Sequence, residues 1–167
     1  PASFDKTGQK VRPIDRVLSE KQGTCIDLAC AYASCLEQAG LHPVLFRVSG
    51  HAFAGYFNHE IEFNQPLITE WPAIQSYLDS KLIVPVETVG IPQRMTFSEA
   101  ISSTHGNLNE MKMVGVVDVF KAHREGIRPL PSRVVRDNVL TVVIDNGPSM
   151  PPITEKRDAV TRKLLPA

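Results

Sequence analysis

The chain has 167 residues, 18 Lys+Arg against 18 Asp+Glu, a formal net charge of +0 and 43% apolar residues. That is enough chain for one ordinary domain with a real core. A neutral balance gives no electrostatic reason for this segment to bind nucleic acid directly or a membrane surface.

Residues 1–12 form a polar lead-in, and 13–18 open a short helix. Thr24 followed by Asp27 has capping-box spacing, so a helix starts at Cys25. It runs through good helix formers to Gln38 and stops at Gly40. Positions 25, 29, 32, 36 and 39 make one apolar stripe, expected to be the buried face. Residues 43–48 (PVLFRV) and 51–57 (HAFAGYF) read as strands joined by a Ser49-Gly50 hairpin turn.

Residues 58–69 read as loop and 70–81 as a short helix with the only tryptophan. Residues 82–89 (LIVPVETV) read as a strand, with Pro85 pointing to an edge position or to a face not needed for pairing. Phe97 to Glu110 is a weaker helix interrupted by Gly106. Residues 113–120 and 138–145 read as strands, 146–152 as a turn-rich break and 153–165 as a charged helix or disordered tail. The order predicts an α+β fold, one helix packed on a mostly antiparallel sheet. The expected division is a lead-in over 1–12, a domain over 13–130, and a C-terminal extension or linker over 131–167. The start at Pro1 and the polar tail suggest a piece of a longer protein.

Three cysteines cannot close a paired framework, which argues for a reduced compartment. With no leader pattern and no apolar run of spanning length, a cytoplasmic location and no membrane contact are expected. Cys25, Cys30 and Cys35 are spaced by five, about 140° on a helix, so their sulfurs diverge. No CxxC or HExxH occurs, so neither a metal nor another cofactor is expected. His59-Glu60 lacks a second histidine, PCxxC is absent, and no GxSxG surrounds Ser49.

The stretch from Gln22 to Phe53 carries the chemistry. Cys25 at the first helical position meets unpaired N–H groups and the positive end of the helix dipole, which favour a thiolate. The same N–H groups can hold an oxyanion. Gly23 permits close approach of a substrate backbone, and Gln22 is the only nearby side-chain amide. His51, at a strand start beyond a turn, suits a general base and acid. Glu87, a carboxylate in an otherwise apolar strand, needs a partner and suits the group that orients the imidazole. Asp118 in VVDV competes for that place and ranks lower, as a residue that points out or caps a neighbour. His42, His105 and His123 have no evident partner, and Arg124, Arg128 and Arg133 read as a solvated basic edge. Taken singly, each of Cys25, His51 and Glu87 has a plain structural explanation. Their order and local positions together favour function.

Gly23-Thr24-Cys25, then a helix, then His51-Ala52-Phe53, then Val86-Glu87-Thr88 resembles the transglutaminase-like superfamily, over roughly Val11 to Leu130. The resemblance implies a papain-like core with Cys25 as nucleophile, His51 as base and acid, and Glu87 as orienting carboxylate. It implies acyl transfer from an amide of a protein or peptide substrate, ending in crosslinking, deamidation or hydrolysis. The family most often has Asp where Glu87 stands and Trp where Phe53 stands. The run from Gly23 to Phe53, with VDVFKAHREGIRPLP later, is also similar to transglutaminase-like segments of large bacterial proteins that carry superfamily 1 helicase domains. That implies adjoining domains as partners. The alternative is an inactive binding or scaffold module of the same fold.

Overall fold

The computed structural model describes residues 11–128, 132–136 and 139–143. The contacts divide the chain into two units, Pro1–Gly126 and Ile127–Ala167.

In the first unit, α1 (Ile14–Glu20) leads into α2 (Cys25–Gln38). Thr24 and Asp27 form the capping box, the Thr24 N–H and hydroxyl both donating to Asp27 Oδ2, at 2.8 and 3.0 Å. Gly40 ends the helix at φ +79°, a conformation an L side chain resists. Then come β1 (Pro43–Val48) and β2 (His51–Phe57), paired Val48 to His51 across a turn in which Gly50 has φ +74°. β3 (Leu67–Ile68), α3 (Trp71–Asp79), β4 (Ile83–Val86), α4 (Gly90–Gln93), α5 (Phe97–Ser102), a 3₁₀ turn (His105–Asn107), β5 (Met113–Asp118) and α6 (Val119–Arg124) follow. The sheet is antiparallel throughout, in the order β3-β5-β1-β2-β4. The fold is α+β.

The pairing register assigns the two faces. Val44, Phe46 and Val48 stand beside Gly55, Phe53 and His51 on one face. With Phe57, Ile83 and Val116 this face forms the main core, covered by Ile74 of α3 and by Phe63. α2 packs on β1 and β2 over the other face, where Ala52 and Ala54 are buried. Its own buried residues are Asp27, Ala29, Ala33 and Leu36. Small side chains on both sides favour close approach of helix and sheet. The expected stripe is therefore corrected: Ala33 rather than Tyr32 turns fully inward, and Ala39 is exposed.

Four residues join α2 to β1, so the helix runs back along the strand. Fourteen helical residues span about 21 Å and six extended ones about 20 Å. Cys25 thus lies at the end of the sheet where β1 finishes and β2 starts.

Several expectations need correction. Residues 58–69 are not all loop, because Leu67 and Ile68 add an edge strand to β5. The helix expected over 97–110 ends at Ser102, and the strand expected to 120 gives way to α6 at Val119. Asp118 caps that helix, its side chain accepting from the Lys121 N–H. Pro85 is on an edge strand, as its missing N–H requires. In the second unit, β6 (Ser132–Arg136) and β7 (Val139–Val143) form a two-stranded antiparallel sheet, of which only β7 was expected. The readings for 1–10 and 146–165 lie outside the described residues.

Candidate active site

His51 and Glu87 meet. β4 pairs with β2, Ala54 opposite Val86, which brings the residue just past β4 to the starting end of β2. Glu87 is that residue, one position beyond the strand and not inside it as expected. His51 Nε2 and Glu87 Oε2 are 2.7 Å apart. Glu87 Oε1 accepts the Val89 N–H at 3.0 Å, and the Glu87 N–H donates to the Ala100 carbonyl at 2.9 Å. Both carboxylate oxygens and the backbone N–H are engaged, so the group is buried yet satisfied. With the carboxylate accepting, Nε2 carries the proton and Nδ1 presents its lone pair. The His51 side chain keeps 24% exposure, enough for access from solvent.

The imidazole stands 5.9 Å from the Phe53 ring, and Phe53 stacks on Phe46 at 5.0 Å. Phe53 is fully buried, so it backs the histidine and does not face a substrate. Gln22 and Gly23 are exposed and Thr24 half-buried. A Cβ on Gly23 would meet Asp27 Cβ at 3.3 Å and Val17 Cγ1 at 3.4 Å. The glycine thus admits α1 to α2; its contacts are with the protein itself.

Cys25 is half-buried at the first position of α2. The first helical backbone bond runs from the Leu28 N–H to the Thr24 carbonyl, and neither the Cys25 nor the Ile26 N–H has a partner among the described residues. Cys25 and His51 share one end of the sheet but come from opposite faces, the helix side and the Phe53 side. Among the described residues no hydrogen bond joins them. The structure therefore assembles the His51–Glu87 pair and leaves Cys25 near the same end, unbonded to it. Cys30, deeper in α2, has its thiol pushed up by burial and further by the charge of Asp27.

The helix start is held from outside. Arg12 donates its backbone N–H to Asp27 Oδ1 at 2.7 Å and its guanidinium to Oδ2 at 2.9 Å. Burial pushes Asp27 up, but the bonds from Arg12 and Thr24 outweigh it and hold the carboxyl below the ordinary range.

The expectation that His42 lacks a partner is overturned. His42 is buried, 2.7 Å from Asp118 Oδ1, with its ring 4.6 Å from those of Phe57 and Phe120. Asp118 also accepts the N–H groups of Phe63 and Lys121. It binds the start of β1, the 58–66 segment and α6 together and does not serve His51. The only local signal was its capping position. His123 pairs with Glu37 at 3.1 Å, and Arg124 pairs with Glu62, so the basic edge is partly tied down.

Among the described residues, no group of three or more His, Cys, Asp or Glu is arranged to hold a metal ion. Among those same residues, no helix is long and apolar enough to cross a membrane. The chain matches no family model, no curated protein and no solved structure.

Proposed function

We propose that the protein is a transglutaminase-like cysteine enzyme that takes an acyl group from an amide of a protein or peptide. The observation that carries this is the His51–Glu87 bond, 2.7 Å long and 36 residues apart in sequence. Nδ1 of His51 takes the Cys25 thiol proton, the thiolate attacks the amide carbonyl, and the developing oxyanion lies against the free N–H groups of Cys25 and Ile26. The imidazolium of His51 gives its proton to the departing amine. Water or a second amine, deprotonated by Nδ1, then breaks the thioester. Glu87 holds the ring and balances the imidazolium. Because Cys25 and His51 come from opposite faces, the two side chains must close round the shared end of the sheet when substrate binds before this chemistry can run. As a module of a longer chain, the domain would receive its substrate beside adjoining domains.

A second reading is an inactive scaffold module, favoured by the missing Cys25–His51 hydrogen bond. The rate of iodoacetamide alkylation at Cys25 near pH 7 separates the two. An enzyme shows Cys25 reacting faster than the exposed Cys35, and His51→Ala slows it. A Cys25 rate no faster than that of Cys35 and indifferent to His51→Ala would remove the enzyme reading and leave the scaffold.

A further inference from the structure

Away from His51, a cavity of about 510 Å³ opens between α3, β4 and the 101–108 segment. Its volume is within the range of small-molecule sites, roughly 300–1,000 Å³. Trp71, Leu78, Ile83, Pro85, Ile101 and Leu108 supply apolar walls. Ile83 and Pro85 are buried, whereas Lys81, His105 and Asp79 on the rim are exposed. An apolar floor under a sparse polar rim is the usual make-up of a ligand site.

Lys81 makes no ion pair among the described residues, and its backbone carbonyl is held by the Asn58 amide. It sits at φ +55°, in the left-handed region, two residues after the end of α3. His105 likewise has no ring partner among the described residues. Beside it, Lys112 Nζ donates to the Gly106 carbonyl at 2.7 Å. Of the residues that line the cavity only Lys81 and Asp79 carry a full charge, one of each sign, and because Lys81 is not paired with Asp79 it and the His105 ring are left to hold an anion.

We propose that this cavity binds a small amphipathic anion, with an apolar or aromatic body against Trp71, Ile101 and Leu108 and a carboxylate at Lys81 and His105. The site stands apart from the Cys25 reading and does not require it. It does share elements with Glu87: Ala100, beside Ile101, accepts the Glu87 N–H, and Pro85 is two residues before Glu87.

Trp71 is the only tryptophan of the chain, so its fluorescence reports the cavity directly. The probes are 4-phenylbutyrate and its neutral counterpart 4-phenylbutan-1-ol. The acid should produce a saturable change in Trp71 emission and bind at least tenfold tighter than the alcohol. The double change Lys81→Met with His105→Gln should weaken the acid about tenfold and leave the alcohol unchanged. Ile101→Lys, placing a charge in the apolar wall, should abolish alcohol binding, with circular dichroism confirming that the variant is folded. No saturable change with either probe overturns the site. Equal affinity for acid and alcohol, or indifference to the double change, overturns the anion. If Ile101→Lys fails to fold, Leu108→Gln replaces it, and unchanged binding in that variant counts against the cavity.

Discussion

His51 Nε2 lies 2.7 Å from Glu87 Oε2, at the shared end of two neighbouring strands. The contact pins the carboxylate from one side while the Val89 N–H pins it from the other. Glu87→Gln keeps the shape and removes the charge, so it should slow Cys25 alkylation at pH 7 while moving the melting temperature by only a few degrees. Glu87→Ala also leaves the Val89 N–H without its acceptor, at a cost of about 1–3 kcal/mol. Thermal melts and alkylation rates on both variants check this. A rate unchanged in both would leave Glu87 a purely structural role.

The three thiols should react in the order Cys25, Cys35, Cys30. Cys35 is exposed and ordinary in surroundings. Cys30 is slowed twice, by burial and by the neighbouring charge of Asp27, both of which disfavour its thiolate. Asp27→Asn should therefore speed alkylation of Cys30 severalfold, provided the fold survives. Peptide mapping after brief exposure to iodoacetamide gives the order. Cys30 reacting first would show that α2 opens or that its buried side is assigned wrongly.

Much of this arrangement was legible because it is written locally. A capping pair at Thr24 and Asp27, a stop at Gly40, a turn at Ser49-Gly50 and an edge proline at 85 each state a backbone requirement within a few residues. From these, the helix carrying Cys25 and the strand carrying His51 follow. What was hidden depends on distant partners. Leu67 and Ile68 form a strand only because β5 offers an open edge. His42 looks like a turn residue until a carboxylate 76 positions away is packed beside it. The face on which His51 emerges was equally invisible. It follows from register, and register comes from Val48 pairing with His51 across the turn.

Asp27 and Asp118 give the protein a shared acid sensitivity. In each, burial raises the carboxyl and hydrogen bonds more than offset it, so both are held below the ordinary value. For Asp118 the bonds come from His42, Lys121 and Phe63. A carboxyl lowered in this way binds fewer protons folded than unfolded. Its stabilisation is then full above the ordinary aspartate value, about 3.9, and drains as pH falls through the folded value. Melting temperature should be flat with respect to these two groups above about pH 5 and should fall steeply below about pH 4. Asp118→Asn should lower it at pH 7 and flatten the acid limb, because the titrating group is gone. An acid limb identical in wild type and Asp118→Asn would show that this carboxyl is not shifted.

Gly55 is the tightest place in the sheet. It lies in the middle of β2, between β1 and β4. A Cβ there would stand 2.6 Å from the Val84 carbonyl oxygen and 2.8 Å from Phe46 Cε2. The first of these is backbone in the neighbouring strand and cannot swing away. The second is a fully buried ring stacked on Phe53, which in turn backs His51. Gly55→Ala should therefore cost about 1–3 kcal/mol, the usual range for forcing an extra methyl into a packed core. It should also slow Cys25 alkylation if His51 takes part, because the strain is passed from Phe46 through Phe53 to the imidazole. Gly106→Ala, where a Cβ would meet nothing within 4 Å, is the matched control and should leave both measurements unchanged. Denaturant midpoints for the pair settle the packing claim: equal midpoints would mean that β2 and β4 are not as close at Gly55 as the structure has them.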